Sequence, residues 1–329
     1  MDTSTHVVMG VGLAGLATLD PAIAASPYMQ SAIMATTLIA SNAPDFDTVL
    51  KLRNNATYIR HHRGMTHSLP AVITWPFLIT SGMMLFFPAA HMGTIFLWAL
   101  ISVILHVGVD VFNSYGTQAL KPFSNRWIAF GVINIFDPFI FGAHAVGILL
   151  WILGVSPGPT FLLIYIGLVG YYVLRMKQKN TVVRRARIHH PNATHVFVSP
   201  SLHPSRWHLV IRTKTRLYVA ESYKRQLTFF ESYTFDPIPD DPIMNAARTD
   251  KNLAAFLSFS PTYRWEISHT NQGGYEVRFI DLRYRSKGHY PFIAIVHLDD
   301  SLQVTTSYTG WIYKEKTLQK KLNFSPEDG

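Results

Sequence analysis

Residues 94–112 read TIFLWALISVILHVGVDVF, an apolar run close to the roughly 20 residues with which an α-helix crosses a bilayer. The run carries one imidazole and one carboxylate, His106 and Asp110, near its C-terminal end. They are four residues apart, so in a helix they share one face and lie one turn from each other. An ionisable side chain in a membrane span is costly and is usually functional. The stretch therefore predicts a membrane helix that carries part of a polar site.

Further apolar runs lie on both sides of this helix, and two of them also approach the length of a membrane span. The first two runs are short and rich in Gly and Ala, which predicts a packed hairpin of small-residue helices. Before Arg175 the chain has six Lys and Arg, six Asp and no Glu. Residues 1–175 are therefore predicted to form an α-helical integral membrane domain of about six apolar helices. The further runs are Val7–Leu19, Tyr28–Ala40, Leu69–Phe87, Pro138–Leu153 and Thr160–Leu174.

The distribution of Lys and Arg predicts the orientation of the helices, because cytoplasmic loops retain basic residues. If the chain starts inside and each run crosses once, the predicted outside loops contain no Lys or Arg. The predicted inside loops Lys51–Arg63, Asn113–Trp127 and Arg175–Arg187 hold all twelve basic residues up to Arg187. This split predicts an integral inner-membrane protein with a cytoplasmic C-terminal domain.

The chain changes character from Arg175 onward, where 23 basic and 14 acidic residues carry the whole formal charge of +9. Residues 176–190 are predicted to be a basic juxtamembrane linker. Beyond them, short runs alternate apolar and polar residues and are separated by turn clusters, which predicts a small, mostly antiparallel β domain over residues 191–329. The predicted strands are Trp207–Arg212, Arg216–Ala220, Tyr275–Asp281, Phe292–Leu298 and Gln303–Tyr308.

The chain contains no cysteine, which excludes disulfides, thiolate metal sites and thiol nucleophiles. Any metal must therefore be held by nitrogen and oxygen. The polar residues of the membrane half form a few clusters, and each lies at the predicted cytoplasmic end of an apolar run. His and Asp gathered at one face are typical ligands of a divalent cation. The clusters are Thr5-His6, Pro44-Asp45-Phe46-Asp47, His61 to Ser68, His106 to Asp110, and Asp137-Pro138.

The local sequence of two of these clusters indicates how their side chains could be directed toward one site. Asp45 and Asp47 follow a proline, where a non-helical chain can aim both carboxylates at one ion. His62 and His67 bracket Arg63-Gly64, and a turn at Gly64 would bring both rings inward and leave Arg63 to meet a phosphate or carboxylate. The alternative for His106 and Asp110 is an internal hydrogen-bonded pair between helices. Lone histidines of apolar segments, such as His144, are expected to be structural.

These clusters in this order, with Asn113 and Tyr115-Gly116 after Asp110, resemble the YdjM-type family of membrane-bound metal-dependent hydrolases. The string His62 to Ser68 is the most specific element, and the resemblance covers residues 1–175. That family is similar, at a distance, to the zinc-dependent phospholipase C and single-strand nuclease superfamily. Two features depart from those soluble enzymes: this half has no Glu ligand, and its helices span a bilayer. The resemblance implies as metal ligands His6, Asp45, Asp47, His62, His67, His106, Asp110 and Asp137.

The function that follows is a membrane-bound hydrolase of a phosphoester, with a membrane lipid as environment and substrate. Two or three divalent ions, with Zn²⁺ the first choice, would activate water. Asp47 or Asp110 would be the general base, and Arg63 would clamp the phosphate. The alternatives are a cation-binding, transporter-like protein and a membrane anchor for a basic β interaction domain. Nucleic acid is not an expected partner, because the β domain has no recognisable basic and aromatic motif.

Overall fold

The computed structural model describes residues 1–270, 273–286 and 288–323, which form two compact units. The first unit comprises Met1–Asp47, His62–Asn180 and Leu202–Pro204. The second comprises Thr48–His61, Thr181–Ser201 and the described residues from Ser205 onward.

Asp and Ser side chains that cap the first turn set where several of the helices begin. Asp20 and Asp137 accept backbone N–H groups of the first turn, and a proline follows each of them at the first helical position. Ser68 caps its helix in the same way. In chain order the helices up to residue 189 are α1 (Thr3–Ala17), α2 (Pro21–Ala24), α3 (Pro27–Ala40), α4 (Asn55–His61), α5 (Leu69–Phe86), α6 (Met92–Phe112), α7 (Pro138–Ile152) and α8 (Pro157–His189), with 3-10 helices at Ala43–Leu52 and Met65–His67.

Three of these helices, α5, α6 and α8, are long and apolar enough to cross a membrane. The other apolar runs form α1, α3 and α7, which have 15, 14 and 15 residues and are shorter than the roughly 20 needed for a perpendicular span. The crossing of all six runs therefore stays a prediction. The segment 176–190, predicted to be a linker, continues α8 as helix to His189.

Small residues allow the helices of the first unit to approach closely. A Cβ atom added at Gly10 of α1 would lie 3.0 Å from the carbonyl oxygen of Thr37 in α3. One added at Gly15 would lie 2.4 Å from the ring of Phe161 in α8. Close packing of small residues is the usual source of helix association where hydrocarbon surrounds the helices. The buried face of α6 packs into this core through Ala99 and Val103, so the residues that follow on the same face are held firmly.

The second unit contains two four-stranded antiparallel sheets, in the orders β1-β2-β3-β4 and β5-β6-β7-β8. The predicted antiparallel β domain is thereby confirmed, and the five predicted runs coincide with β2, β3, β6, β7 and β8. Its elements are β1 (His195–Pro200), β2 (Arg206–Arg212), β3 (Arg216–Tyr223), β4 (Gln226–Thr234), α9 (Pro242–Arg248), α10 (Lys251–Phe259), β5 (Tyr263–His269), β6 (Tyr275–Asp281), β7 (Phe292–Leu298), β8 (Val304–Trp311) and α11 (Glu315–Asn323).

Helix α4 belongs to the second unit, although its sequence lies between the Asp45-Phe46-Asp47 and His62 clusters. Ile59 packs against the apolar core that contains Phe256 and Phe292. Asn55 donates hydrogen bonds to the hydroxyl of Tyr308 and the carbonyl of Thr309, each at 3.3 Å. The segment between Asp47 and His62 is thus anchored by a short helix and is not a free loop.

Candidate metal centre

Four side chains of the first unit converge to form a candidate metal centre: Asp45, His67, His106 and Asp110. One ligand atom from each lies within 4.8 Å of the others. His67 Nε2 is 3.2 Å from His106 Nε2 and 3.5 Å from both Asp45 Oδ1 and Asp110 Oδ2. His106 Nε2 is 3.7 Å from Asp45 Oδ1 and 3.8 Å from Asp110 Oδ2. Tetrahedral ligands about 2.0–2.1 Å from a zinc ion would lie about 3.3 Å apart, so these spacings fit one ion.

The hydrogen bonds of the two imidazoles fix which nitrogen carries the proton. His106 Nδ1 lies 2.6 Å from the carbonyl oxygen of Ser41, which can only accept, so Nδ1 is the donor. Thr66 donates its hydroxyl proton to Asp47 Oδ2 at 2.7 Å, and its oxygen therefore accepts from His67 Nδ1 at 3.0 Å. Both Nε2 atoms are consequently left with bare lone pairs.

Two bare nitrogen lone pairs thus face each other at 3.2 Å in a buried place. Such an arrangement is repulsive unless a cation lies between the atoms. The alternative of a hydrogen-bonded pair between His106 and Asp110 finds no support, because their nearest charged atoms are 3.8 Å apart and His106 Nδ1 is bonded to Ser41. The donor set of two imidazoles and two carboxylates suits zinc and similar divalent ions.

Burial and the neighbouring charges keep these donors in the states that bind metal. Burial lowers the pKa of His67 to about 3, although Asp45 opposes the shift, so the ring is neutral at neutral pH. Burial alone would raise the pKa of Asp45, but the polar surroundings formed by His106, His67 and the positive charge of Arg63 outweigh it and hold the pKa well below the usual range. A neutral imidazole and an ionised carboxylate are the forms that ligate a metal.

Asp47 organises the other side of the centre through both of its oxygens. Oδ1 lies 2.7 Å from His62 Nδ1, while Oδ2 accepts from Thr66 Oγ1 and from the backbone N–H of Arg63 at 3.0 Å. Burial alone would raise the pKa of Asp47, but the hydrogen bonds with His62 and Thr66 lower it. Asp45, Asp47 and His62 form a second group with metal-binding spacing, which shares Asp45 with the first. Carboxylates that hold a histidine in this way set its orientation and basicity.

Asp110 and His6 meet at the most buried edge of the centre. Asp110 Oδ1 accepts from Asn113 Nδ2 at 3.2 Å and contacts the amine of Met1. Asp110 Oδ2 is buried and accepts no hydrogen bond from any described residue. His6 stacks on His106 with ring centroids 3.8 Å apart, and its Nε2 is 3.7 Å from Asp110 Oδ1. A buried carboxylate oxygen without a donor is a ligand position that an ion would satisfy.

Arg63 brings a buried positive charge to the centre. Its backbone has a φ of 60°, so the left-handed residue is Arg63, directly before Gly64, where the sequence predicts a turn. Such a backbone costs about 1–3 kcal/mol in a residue with a side chain, and here the Arg63 N–H bonded to Asp47 and the Arg63 carbonyl bonded to Gln118 N hold it. The guanidinium Nη2 is 3.4 Å from Asp110 Oδ2. Nε and Nη1 are buried and have no hydrogen-bond partner in the described part of the chain, which leaves two donors for an anion.

The remaining predicted ligand, Asp137, is used at the start of α7. Its Oδ1 accepts the backbone N–H groups of Phe139 and Ile140, and Tyr171 donates its hydroxyl to both carboxylate oxygens. Within the described ranges neither metal-binding group includes it. Asp-Pro is itself a helix-start signal. The sequence therefore also indicates a role for Asp137 in capping a helix, besides the predicted role as a metal ligand.

The residues that orient the ligands were not among the predicted site residues. Thr66 and Asn113 fall inside the quoted motifs, and their positions beside His67 and Asp110 are the only signal that could have identified them. Ser41 acts through its backbone carbonyl, so its side chain carries no signal at all.

Thr66→Val is expected to weaken metal affinity about tenfold to a hundredfold, the range found when a partner that orients a ligand is lost. The change keeps the shape of the side chain but removes the link between Asp47 and His67. Thr74→Val is the matched control, because among the described residues the Thr74 hydroxyl bonds only the carbonyl of Pro70 one turn earlier. Titration against a competing chelator measures both affinities, and equal affinities would contradict the link.

All residues of the candidate metal centre lie in the part of the chain that matches one protein family. The profile of the YdjM inner membrane protein family matches residues 1–182, and those of a YfhP middle domain and a YfhP C-terminal alpha/beta plait domain match 191–233 and 242–322. The chain is 51% identical over 323 residues to the "Uncharacterized protein YfhP" of Bacillus subtilis (strain 168), and the alignment covers 98% of each chain. No solved structure matches the chain.

Proposed function

Because the chain belongs to the YdjM inner membrane protein family, we propose that it is a membrane-bound, metal-dependent hydrolase that acts on a phosphoester of a membrane lipid. The observation that carries the proposal is the pair of bare Nε2 atoms of His67 and His106, which face each other at 3.2 Å beside two carboxylates. A site built only to stabilise the helices would not place lone pairs in this way.

Asp45, His67, His106 and Asp110 would hold the first ion, and Asp45 with Asp47 and His62 would suit a second. A divalent cation held there supplies Lewis-acid chemistry, which activates water and offsets charge on the phosphoryl oxygens. Zn²⁺ is our first choice, because imidazole nitrogen and carboxylate oxygen are both among its usual ligands.

The protein's own groups supply binding and proton transfer. Arg63 would bind the phosphate through Nε and Nη1, the two buried donors without a partner among the described residues. Asp110 belongs to the ion group, and both Asp47 oxygens accept hydrogen bonds. We therefore propose His62 as the general base when only the first ion is bound, with Nδ1 donating to Asp47; with a second ion bound, His62 would be a ligand instead.

A lipid substrate suits the position of the centre at one end of a helix that is long enough to cross a membrane. His106 and Asp110 lie in the last two turns of α6. A head group in the interface would reach such a site while its hydrocarbon chains remain in the bilayer. Ligands spread through the depth of the bilayer would favour a transporter, and the ligands on α6 are confined to one end.

The direct test is a screen of lipid phosphoesters with the purified, metal-loaded protein. We expect release of phosphate or of a phosphorylated head group, which stops when a chelator removes the metal and returns when the metal is restored. A protein that holds metal but hydrolyses none of the lipid classes, while it carries cations into vesicles, would overturn the hydrolase proposal.

The proposal also requires the centre to face the cytoplasm, as the twelve basic residues of the predicted inside loops indicate. Because the chain has no cysteine, single cysteines can report topology. We expect Lys320→Cys in α11 to react with an impermeant maleimide only after the cells are permeabilised. Ala89→Cys, in the short turn between α5 and α6, should react in intact cells. Labelling of position 320 in intact cells would refute the orientation.

A further inference from the structure

An apolar groove lies in the first unit between α6 and α8, with Met9 of α1 and His144 of α7 in its lining. Its volume is about 750 Å³, within the range of about 300–1,000 Å³ that is usual for small-molecule sites. Leu105, Gly108, Val109 and Phe112 line it on the α6 side. None of these residues belongs to the metal-binding groups described above.

Helix α6 connects the groove with the candidate metal centre. Val109 lines the groove, and the next residue, Asp110, belongs to the metal centre. Successive residues of an α-helix point about 100° apart, so one helix presents two neighbouring faces with different chemistry. The groove therefore runs beside the helix that carries two of the metal ligands.

Two residues of the groove lining carry a buried polar atom that no hydrogen bond from the described residues satisfies. The hydroxyl of Tyr172 is buried and has no partner within residues 1–270, 273–286 and 288–323. His144 Nδ1 donates to the carbonyl of Ile140, so Nε2 keeps its lone pair, and it too lacks a partner over the same ranges. Buried polar groups are rarely left unsatisfied in folded proteins. An ester oxygen of a ligand would give the Tyr172 hydroxyl an acceptor, and a ligand hydroxyl would give His144 Nε2 a donor.

The ends of the groove differ in charge. Lys177 lies in the lining on α8, five residues beyond Tyr172 and within the basic stretch Arg175–Arg187. The rest of the lining is almost entirely apolar. Both α6 and α8 are long and apolar enough to cross a membrane, where lipid hydrocarbon chains would surround them. Such a chain would therefore occupy the groove.

We propose that this groove binds one hydrocarbon chain of an anionic, phosphate-bearing lipid, whose head group lies toward Lys177. The apolar lining takes the chain, the Tyr172 hydroxyl donates to an ester oxygen, and the positive end attracts the phosphate. The further statement that this lipid is the substrate of the metal centre rests on the proposed function.

The test uses two matched glycine variants of the full chain. An added Cβ at Gly108 or at Gly167 meets no atom within 4 Å, so the two positions are matched in the space next to the backbone. Gly108 lines the groove, and Gly167 of α8 does not. The purified variants are reconstituted in nanodiscs with phosphatidic acid that carries a diazirine in one acyl chain, irradiated, and analysed by mass spectrometry.

We expect the wild-type chain and Gly167→Leu to be labelled on groove residues of α6 and α8. Gly108→Leu should lower that labelling about tenfold, since its side chain displaces roughly two methylene groups of the bound lipid. Tyr172→Phe should lower it less, because the shape of the groove is kept. A diacylglycerol with the same chain should label weakly, because it lacks the phosphate.

Equal labelling of Gly108→Leu and Gly167→Leu would overturn the proposal, as would equal labelling by diacylglycerol. A dimer in the wild type that Gly108→Leu alone converts to a monomer would also overturn it, because the groove would then be a contact between copies. Metal content, measured on the same samples, separates the two proposals. Groove labelling without bound metal would support the lipid site and contradict the hydrolase proposal. Bound metal with equal labelling of Gly108→Leu and Gly167→Leu would contradict the lipid site and leave the metal centre supported.

Discussion

Asp110→Asn is expected to strip the divalent cation from the purified protein and to abolish hydrolysis, while the chain still inserts and folds in detergent. The change keeps the size of the side chain and an oxygen that can accept from Asn113, but it removes the negative charge that the cation requires. Loss of a partner that only orients a ligand costs about 10–100-fold in metal affinity, so loss of a ligand should cost more than about 100-fold. Metal analysis and phosphoesterase assays of the same preparation measure both effects.

His67→Ala and Asp45→Asn should give the same result, and combining the changes should add little, because the ligands of one ion act as a unit. Asp20→Asn is the matched control. Asp20 is an exposed carboxylate that caps α2 through the N–H of Ala22 at 2.9 Å, so the loss of its charge should leave metal content unchanged. Full metal occupancy in all three ligand variants would mean that the cluster is structural.

Arg63→Lys is expected to lower kcat/KM for the lipid phosphoester by about 100-fold or more, the usual effect of removing one donor that stabilises developing charge. Lysine keeps a positive charge beside Asp110 but lacks the planar fork whose Nε and Nη1 have no partner over the described residues. The amount of bound metal should stay at the wild-type level, because a protonated guanidinium has no lone pair with which to ligate a metal.

The conservative change Arg60→Lys, at an exposed position of α4, controls for the exchange of arginine itself. It should leave turnover unaffected. If Arg63→Lys turned over lipid as fast as the wild type, the guanidinium would not bind the substrate phosphate. If it lost its metal, Arg63 would instead act by holding Asp110.

Much of the fold follows from local signals in the sequence. Asp20-Pro21 and Asp137-Pro138 begin α2 and α7, and the alternating runs at Tyr275–Asp281 and Phe292–Leu298 are β6 and β7 with the predicted bounds. Strand β4 was missed, because most of its residues are exposed and it shows little apolar alternation. The membership of α4 in the second unit could not be predicted either, since it depends on contacts with residues about 200 or more positions away, such as Tyr308.

The ligand types were predictable and their arrangement was not. His67, His106 and Asp110 stood out because ionisable groups beside apolar runs are rare. The tautomer of His106 depends on the backbone carbonyl of Ser41, which no side-chain pattern encodes. A turn was predicted at Gly64, but its left-handed residue is Arg63, which hydrogen bonds with Asp47 and Gln118 hold in that conformation.

X-ray absorption spectroscopy of the purified, metal-loaded wild-type protein tests the central claim most directly, because it reports the ligands of whatever metal is bound. With zinc, the account predicts only nitrogen and oxygen neighbours at about 2.0–2.2 Å, with the outer-shell scattering of two imidazoles from His67 and His106. The imidazole signal should vanish in the double variant His67→Ala/His106→Ala. A protein that binds no metal after loading, or a bound ion whose spectrum shows no imidazole, would contradict the account.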